Sequence, residues 1–279
     1  MTFNTPEISN QDGQPIALYT LEWGNTVWRY TSADRNITRV EGGQPRTYLA
    51  VAISDNGMVQ GGDSNADFTI KAPSNLPIAA LYRGTAPSAS IYLTVRRKHV
   101  DDPDNEAPVF WVGTVGNVKG VDDATIEIVG RTLTASFKRS GLRLSWQKNC
   151  PHILYDSSCS ANPGSYAIAG TITDLTGNSI TVDGSAGDQT ADWFDGGYVR
   201  WEADGNGTME RRGIERTLAP GTFAIYGRTN GLVIGQAVTL YPGCQHTPSA
   251  CDGKFNNLPN YGGFPFLPGK SPFDGTPVF

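Results

Sequence analysis

Along most of the chain, apolar residues alternate with polar ones in short runs bounded by glycine, proline and asparagine. A period of two in such runs is the signature of half-buried strands. Ile16–Glu22 (IALYTLE) and Asn25–Tyr30 (NTVWRY) read as two strands, with WGN between them as a hairpin turn. Asn36–Glu41 and Thr47–Ser54 (TYLAVAIS) suggest further strands separated by GGQP. In DFTIKAP, Phe68 and Ile70 alternate with polar neighbours. Leu76–Tyr82 is short and reads as a helical turn. Ser88–Val100 (SASIYLTVRRKHV) is a strong strand, with Ile91, Leu93 and Val95 on one face and a basic end at Arg96, Arg97 and Lys98. The acidic loop DDPDNEAP follows. Basic end and acidic loop read as a solvated rim or, more sharply, as a subunit contact. PVFWVGTVGNVKGVD and ATIEIVGRTLT then form a strand pair turning at Gly120–Asp123.

The second half opens on Thr132–Arg143, where Leu133 and Phe137 with a basic side suggest a short amphipathic helix. Strands resume at Tyr166–Asp174 and Ser179–Asp183, a hairpin with TGN as its turn. DWFDGGYVRWE, TMERRGIERT, PGTFAIYGR and QAVTLYPG continue the pattern, with ADGNG as a tight turn. The fold class is therefore mainly β: two small β-barrel or sandwich-like domains, residues 1–131 and 132–279, ending in a loop-rich cysteine-bearing segment. In a barrel or sandwich, the points where the chain enters and leaves can lie side by side. Residues 1–12 form a polar arm without an apolar core, so no secretory leader is predicted.

Composition agrees with short strands and turns: 33 glycines and 18 prolines, with abundant aromatic and β-branched residues. A net charge of −5 does not suggest a nucleic-acid binder. No run of apolar residues reaches the length of a membrane-spanning helix.

The chemistry lies in the four cysteines. Cys150 and Cys159 stand in NCPHILYDSSC with eight residues between them, and Cys244 and Cys251 in GCQHTPSAC with six. Gly243–Lys270 is so rich in glycine, proline and aromatics that it forms neither helix nor strand by itself. Two pairs closing on one metal would order it, because metal-binding free energy becomes folding free energy. Four thiolates suit zinc or an iron–sulfur cluster. Two disulfides or four free thiols are the competing readings. His152 and His246 each stand two residues after a cysteine and are second-choice ligands.

The run Gly-Cys, six residues, Cys, then Phe-Asn-Asn, then Gly-Phe-Pro-x-x-Pro-Gly resembles the C-terminus of the phage tail-tip hub proteins. That family includes the hub of gene transfer agents and the lambda-like tail-tip protein with a C-terminal iron–sulfur cluster. GLRLSWQKNCPHILYDSSC fits the place of the family's upstream cysteine pair. The resemblance implies a [4Fe–4S] cluster held by Cys150, Cys159, Cys244 and Cys251, with zinc as the alternative. It implies a structural protein of a siphophage virion, sited at the tail tip or baseplate after assembly in the host cytoplasm. Its implied partners are two further copies of itself in a homotrimer, the distal tail protein, the central tail fibre or tip attachment protein, and the C-terminus of the tape measure protein. DNA would pass only in transit through the lumen.

No catalytic constellation is evident. The three histidines complete neither a nucleophile triad nor HExxH, and there is no phosphate-binding loop. GGDSNAD and DGNG are fragments of a calcium loop at most and read as turns. Asp192 and Asp195 flank two aromatics without a defined separation across a cleft. Trp193, Tyr198 and Trp201 would make a sugar-stacking face, although such rings more often fill a core. Trp146 reads as core packing. A redox or metal-dependent enzyme using the four-cysteine site is the alternative to a structural hub.

Overall fold

The computed structural model describes residues 14–57, 68–100, 102, 104–132, 141 and 144–268. The polar arm, GGDSNAD, Asp101, Leu133 and Phe137 of the expected helix, and the tail from Gly269 onward lie outside these residues. The chain divides into two compact units, Met1–Arg139 with Glu202–Glu210, and Ser140–Trp201 with Arg211–Phe279. Among the described residues no helix is long and apolar enough to cross a membrane.

The first unit is a nine-stranded sheet built outward from β1 (Pro15–Trp23). β1 pairs antiparallel with β2 (Thr26–Thr31) on one side and β7 (Tyr92–His99) on the other. Beyond β7 lie β8 (Val109–Gly120), β9 (Thr125–Thr132), β6 (Phe68–Pro73) and the short β5 (Ser54–Asp55). Beyond β2 lie β4 (Gln44–Ala50), which runs parallel to β2, and β3 (Ile37–Glu41). β1 is apolar on both faces because both are covered. Ala17, Tyr19, Leu21 and Trp23 join the main core with Ile91, Leu93, Val95, Ile126 and Ile128. Ile16 and Leu18 face a second cluster with Tyr48, Ala33 and Ala107. The expected helical turn is α1 (Pro77–Tyr82), with Pro77 at its start and Ile78 and Ala79 buried.

The expected strand from Thr47 to Ser54 is displaced. Gly42 and Gly43, with φ of +57° and +78°, close a two-residue turn, so Gln44 and Pro45 already belong to β4 and pair with Glu41 and Val40.

The basic end of β7 is half-buried and paired rather than a solvated rim. Arg97 continues the alternation of Ile91, Leu93 and Val95, and meets Asp55, whose side chain is only 3 % exposed, at 2.7 Å. The hydroxyl of Tyr19 donates to the same carboxylate at 2.5 Å. Burial first, then the Asp55 hydrogen bond, raises Tyr19 well above the usual tyrosine range. Lys98 is buried too and donates to the carbonyl of His99. Arg96 donates to the carbonyl of Ala107.

The second unit is a closed six-stranded barrel: β10 (Ile168–Thr176), β11 (Ser179–Val182), β14 (Thr222–Ile225), β13 (Met209–Ala219), β12 (Tyr198–Glu202) and β15 (Ala237–Tyr241), in that spatial order. Closure leaves no free edge to template aggregation. Ile172, Ile180, Val199, Trp201, Phe223 and Leu240 are buried in this unit.

Two substitutions probe the first unit. In β8, a Cβ on Gly113 would lie 2.2 Å from the carbonyl oxygen of Arg131 and 2.4 Å from the indole of Trp111, which stacks on Phe68. Gly113→Ala should cost about 1–3 kcal/mol of stability by overpacking, read as a lowered urea midpoint. Arg97→Met should cost about 1–3 kcal/mol, because it leaves the buried Asp55 carboxylate with only the Tyr19 hydroxyl and the Gly57 amide as donors. An unchanged midpoint would show that the pair contributes nothing.

Candidate metal centre at the mouth of the barrel

The barrel's closure explains how cysteines so distant in sequence meet. β10 pairs antiparallel with β15, and Ile168, at the start of one, sits opposite Leu240, near the end of the other. The chain entering β10 and the chain leaving β15 therefore emerge side by side. The first carries Cys150 and Cys159, the second Cys244 and Cys251. All four thiols line one cavity, together with His152, Leu154, His246, Phe255, Asn257 and Asn260. Its free volume is about 10 Å³, room for roughly one water-sized sphere.

Gly197 and Gly243 set the angle at which the second loop departs. A Cβ on Gly243 would lie 1.9 Å from the carbonyl oxygen of Asp195, and one on Gly197 would lie 2.1 Å from that of Tyr241. Only glycine allows these backbones to pass so closely.

The C-terminal stretch is not free of regular structure, contrary to expectation. Residues Pro248–Phe255 form a helix, α2. Thr247 caps it by accepting from the Ala250 amide at 3.2 Å, and Pro248 opens its first turn. Asn256 ends it in the left-handed region at φ +45°. The signal was Thr-Pro-Ser-Ala, a capping sequence hidden inside a composition that argued for loop. α2 buries Cys251 and Phe255 on its inner side.

The two loops are tied directly. The Cys150 amide donates to the His246 carbonyl at 2.9 Å. The Tyr155 hydroxyl donates to the Pro242 carbonyl at 2.9 Å, and that of Tyr166 to the Phe255 carbonyl at 2.8 Å. Tyr155 also meets Tyr198, Tyr241 and Phe255 edge to face. Downstream, the Phe264 amide donates to the Gln147 carbonyl at 2.8 Å, and the Tyr261 hydroxyl to the Lys148 carbonyl at 2.8 Å.

The sulfurs sit among donors. The His246 amide reaches Cys244 Sγ at 3.3 Å and the Gly262 amide reaches Cys150 Sγ at 3.5 Å. Asn257 Nδ2 lies 3.7 Å from Cys159 Sγ. The Cys251 thiol donates to the Asn257 carbonyl at 3.3 Å. No disulfide joins the four. Burial, followed by the neighbouring thiols Cys244, Cys150 and Cys159, pushes Cys251 up to about 11. Burial also raises Cys244, with Cys159 and Cys150 adding to the shift. The neighbouring thiols thus oppose ionisation of Cys251 and Cys244, and a bound cation would reverse that logic.

The donor set fits a thiophilic group. Among the described residues no carboxylate lines the cavity, which disfavours hard cations. The geometry is not that of a finished single-ion site: among the described residues, no three His, Cys, Asp or Glu side chains are placed to hold one metal ion. A tetrahedral zinc draws its thiolates to about 3.8 Å from one another, as its 2.3 Å bonds require. Both histidines reach the cavity wall. The His152 ring packs over Gly262, where a Cβ would come within 2.4 Å of it, and its Nδ1 is buried without a hydrogen-bond partner. His246 holds φ +58° and contributes its backbone amide and carbonyl to the ties.

The other candidate groups have structural roles. Asp195 accepts from the amide and hydroxyl of Thr217 at 2.6 and 2.9 Å. Asp192 accepts from Gln245. Trp201 is core, Tyr198 on the opposite face of β12 stacks on Tyr241, and Trp193 lies under the ammonium of Lys254. The three rings share no sugar-binding face. Trp146 is not core packing: it is 76 % exposed and stacks on Phe264 at 4.4 Å.

These features define a β protein whose barrel mouth carries two cysteine loops closed over one cavity. Residues 17–162 match the family model described as baseplate hub protein, N-terminal attachment domain, which is more than half of the chain. The chain belongs to this family of phage baseplate hub proteins. Residues 192–271 match a second family, described as phage conserved hypothetical protein BR0599. Each match takes in one cysteine pair. No curated protein matches the chain. Among solved structures it is similar to a chain of the virion of a native gene transfer agent particle, with a TM-score of 0.74 and 22 % identity. That likeness covers 99 % of this chain and 96 % of the other, and it establishes the fold. The resemblance read from the cysteine segments is thus borne out, and the protein is a structural component of a phage-type tail baseplate.

Gly263 tests how the tail is docked. A Cβ there would lie 2.5 Å from the carbonyl oxygen of Lys148. Gly263→Ala should break the Phe264–Gln147 tie and speed proteolysis C-terminal to α2, while the barrel's far-UV circular dichroism stays unchanged. Equal cleavage rates would show that the tail is held elsewhere.

Proposed function

We propose that the protein is a structural hub of the tail tip, and that its four cysteines hold a [4Fe–4S] cluster whose role is architectural. Three copies would form a ring joining the distal tail protein and tail tube to the central tip proteins, in contact with the C-terminus of the tape measure protein and open to DNA in transit. The family assignment supports the hub role. The observation that carries the cluster reading is the gathering of all four thiols around one cavity at the mouth of the barrel. Cys150, Cys159, Cys244 and Cys251 would be the ligands. When bound, the cluster supplies cross-links between two loops otherwise joined by a few hydrogen bonds, and its binding free energy becomes order in the C-terminal segment. His246 and Gly262 would hold the sulfurs through their backbone amides, a known means of tuning such sites. A structural rather than catalytic role is supported by the fate of the candidate carboxylates, since Asp195 caps Thr217 and Asp192 holds Gln245.

The test is anaerobic purification of the full chain. A brown protein with broad absorbance towards the blue and about four iron and four sulfide per chain is expected. Cys244→Ser should lose the iron, expose the C-terminal segment to protease and give tails that fail to complete. His152→Ala and His246→Ala should keep it. Colourless protein holding one zinc, or iron lost from the histidine variants but retained by Cys244→Ser, would overturn this ligand set in favour of a mixed Cys/His zinc site.

A further inference from the structure

Asn257 is buried, yet every hydrogen-bonding group it has is used at the cysteine cavity. Its side-chain Nδ2 donates to the Cys159 carbonyl at 2.6 Å and lies 3.7 Å from Cys159 Sγ. Its own carbonyl accepts from the Cys251 thiol at 3.3 Å and from the Asn260 amide at 3.0 Å. Its amide donates to the Cys251 carbonyl at 3.0 Å, and its Oδ1 accepts from Asn260 Nδ2 at 2.7 Å. The amide orientation follows from these partners: two acceptors face the nitrogen and a donor faces the oxygen. One residue thereby grips one cysteine of each pair, Cys159 in the loop before β10 and Cys251 on α2.

The other ties do not do this. The Cys150–His246 bond is between backbones, and its strength does not depend on a particular side chain. The Tyr155 and Tyr166 hydroxyls end on Pro242 and Phe255, not on cysteines. The side chain required at 257 is also specific. It must donate at one end and accept at the other, at a reach only a short amide provides. Aspartate has the shape but would set a carboxylate oxygen against the Cys159 carbonyl and close to the sulfur.

We propose that Asn257 is the positioning residue of the site: it latches Cys159 to Cys251, and its Nδ2 hydrogen steadies negative charge on the Cys159 sulfur. The latch is a property of the protein alone. The charge effect rests on the cluster reading above.

The experiment uses the full chain with Asn257→Ala and Asn257→Asp, the second being nearly isosteric should the first fail to fold by circular dichroism. In metal-free reduced protein, iodoacetamide labelling mapped by mass spectrometry should be several-fold faster at Cys251, which meets only the backbone of residue 257, in both variants than in the parent. Labelling of Cys251 at the parental rate overturns the latch. In protein purified without oxygen, a redox titration followed by electron paramagnetic resonance should move to more negative potential in Asn257→Ala and further in Asn257→Asp. A donor lost near sulfur, and still more an added carboxylate, disfavours the reduced, more negative state. A potential equal to the parent's overturns the charge effect. If the parent carries no iron, the cluster reading and the charge effect fall together, while the labelling rates still decide the latch.

Discussion

The pairing of β10 with β15 is the contact on which the C-terminal unit depends. It closes the barrel, and its register sets Ile168 opposite Leu240, so that the first residues of one strand lie beside the last of the other. Bringing together segments about a hundred residues apart carries a loop-closure cost that grows only slowly with length. Here the barrel's own apolar core, Ile172 and Phe223 among it, offsets that cost once. The cysteine loops then need only short-range ties to reach each other. The site is thus a consequence of topology first and of cysteine spacing second.

Regular structure does little to hold the lobe built on those ends. Its order comes from backbone groups paired across loops, as Cys150 with His246 and Phe264 with Gln147, and from tyrosine hydroxyls that end on carbonyls. Each such bond contributes about 1 kcal/mol net, little against the entropy of ordering a glycine- and proline-rich chain. Burial and the neighbouring thiols push Cys251 and Cys244 upward, so without a cation nearby both stay protonated and neutral. A cation bound there would favour the thiolates and would couple the order of the lobe to the chemistry of its sulfurs.

The β architecture was legible because strands announce themselves by alternation, and the pattern at Phe68 and Ile70 or at Ile91, Leu93 and Val95 is the pattern of burial. What sequence reasoning missed were places where one residue type has two meanings. Pro248 and Gly253 read as loop composition, yet proline suits the first turn of a helix and Thr247 is its cap. Trp146 read as core because tryptophan usually is, but its partner Phe264 lies more than a hundred residues on and both stay at the surface. The cysteines were visible as two pairs, and the barrel supplied the reason they meet. Asn257 carried no signal beyond its place in Phe-Asn-Asn, because a buried amide is recognisable only from its partners.

Arg97 shows the same ambiguity on the other unit, and shows what settles it. Three consecutive basic residues, Arg96 to Lys98, suggest a solvated end, since charges are rarely buried without partners. A strand does not change its faces to suit its side chains, however. With Leu93 and Val95 inward, Arg97 must point the same way, and the question becomes whether a counter-charge waits there. Asp55 is that counter-charge, on the short strand at the far edge of the same sheet, and Tyr19 of the central strand completes the set by donating to it. A charge held between the middle and the edge of the sheet contributes less to net stability than an apolar replacement of equal shape would. Its value is that an error of one residue in the register of β7 would turn Arg97 to the other face and leave the buried Asp55 carboxylate without its cation, so it penalises the wrong pairing more than it rewards the right one.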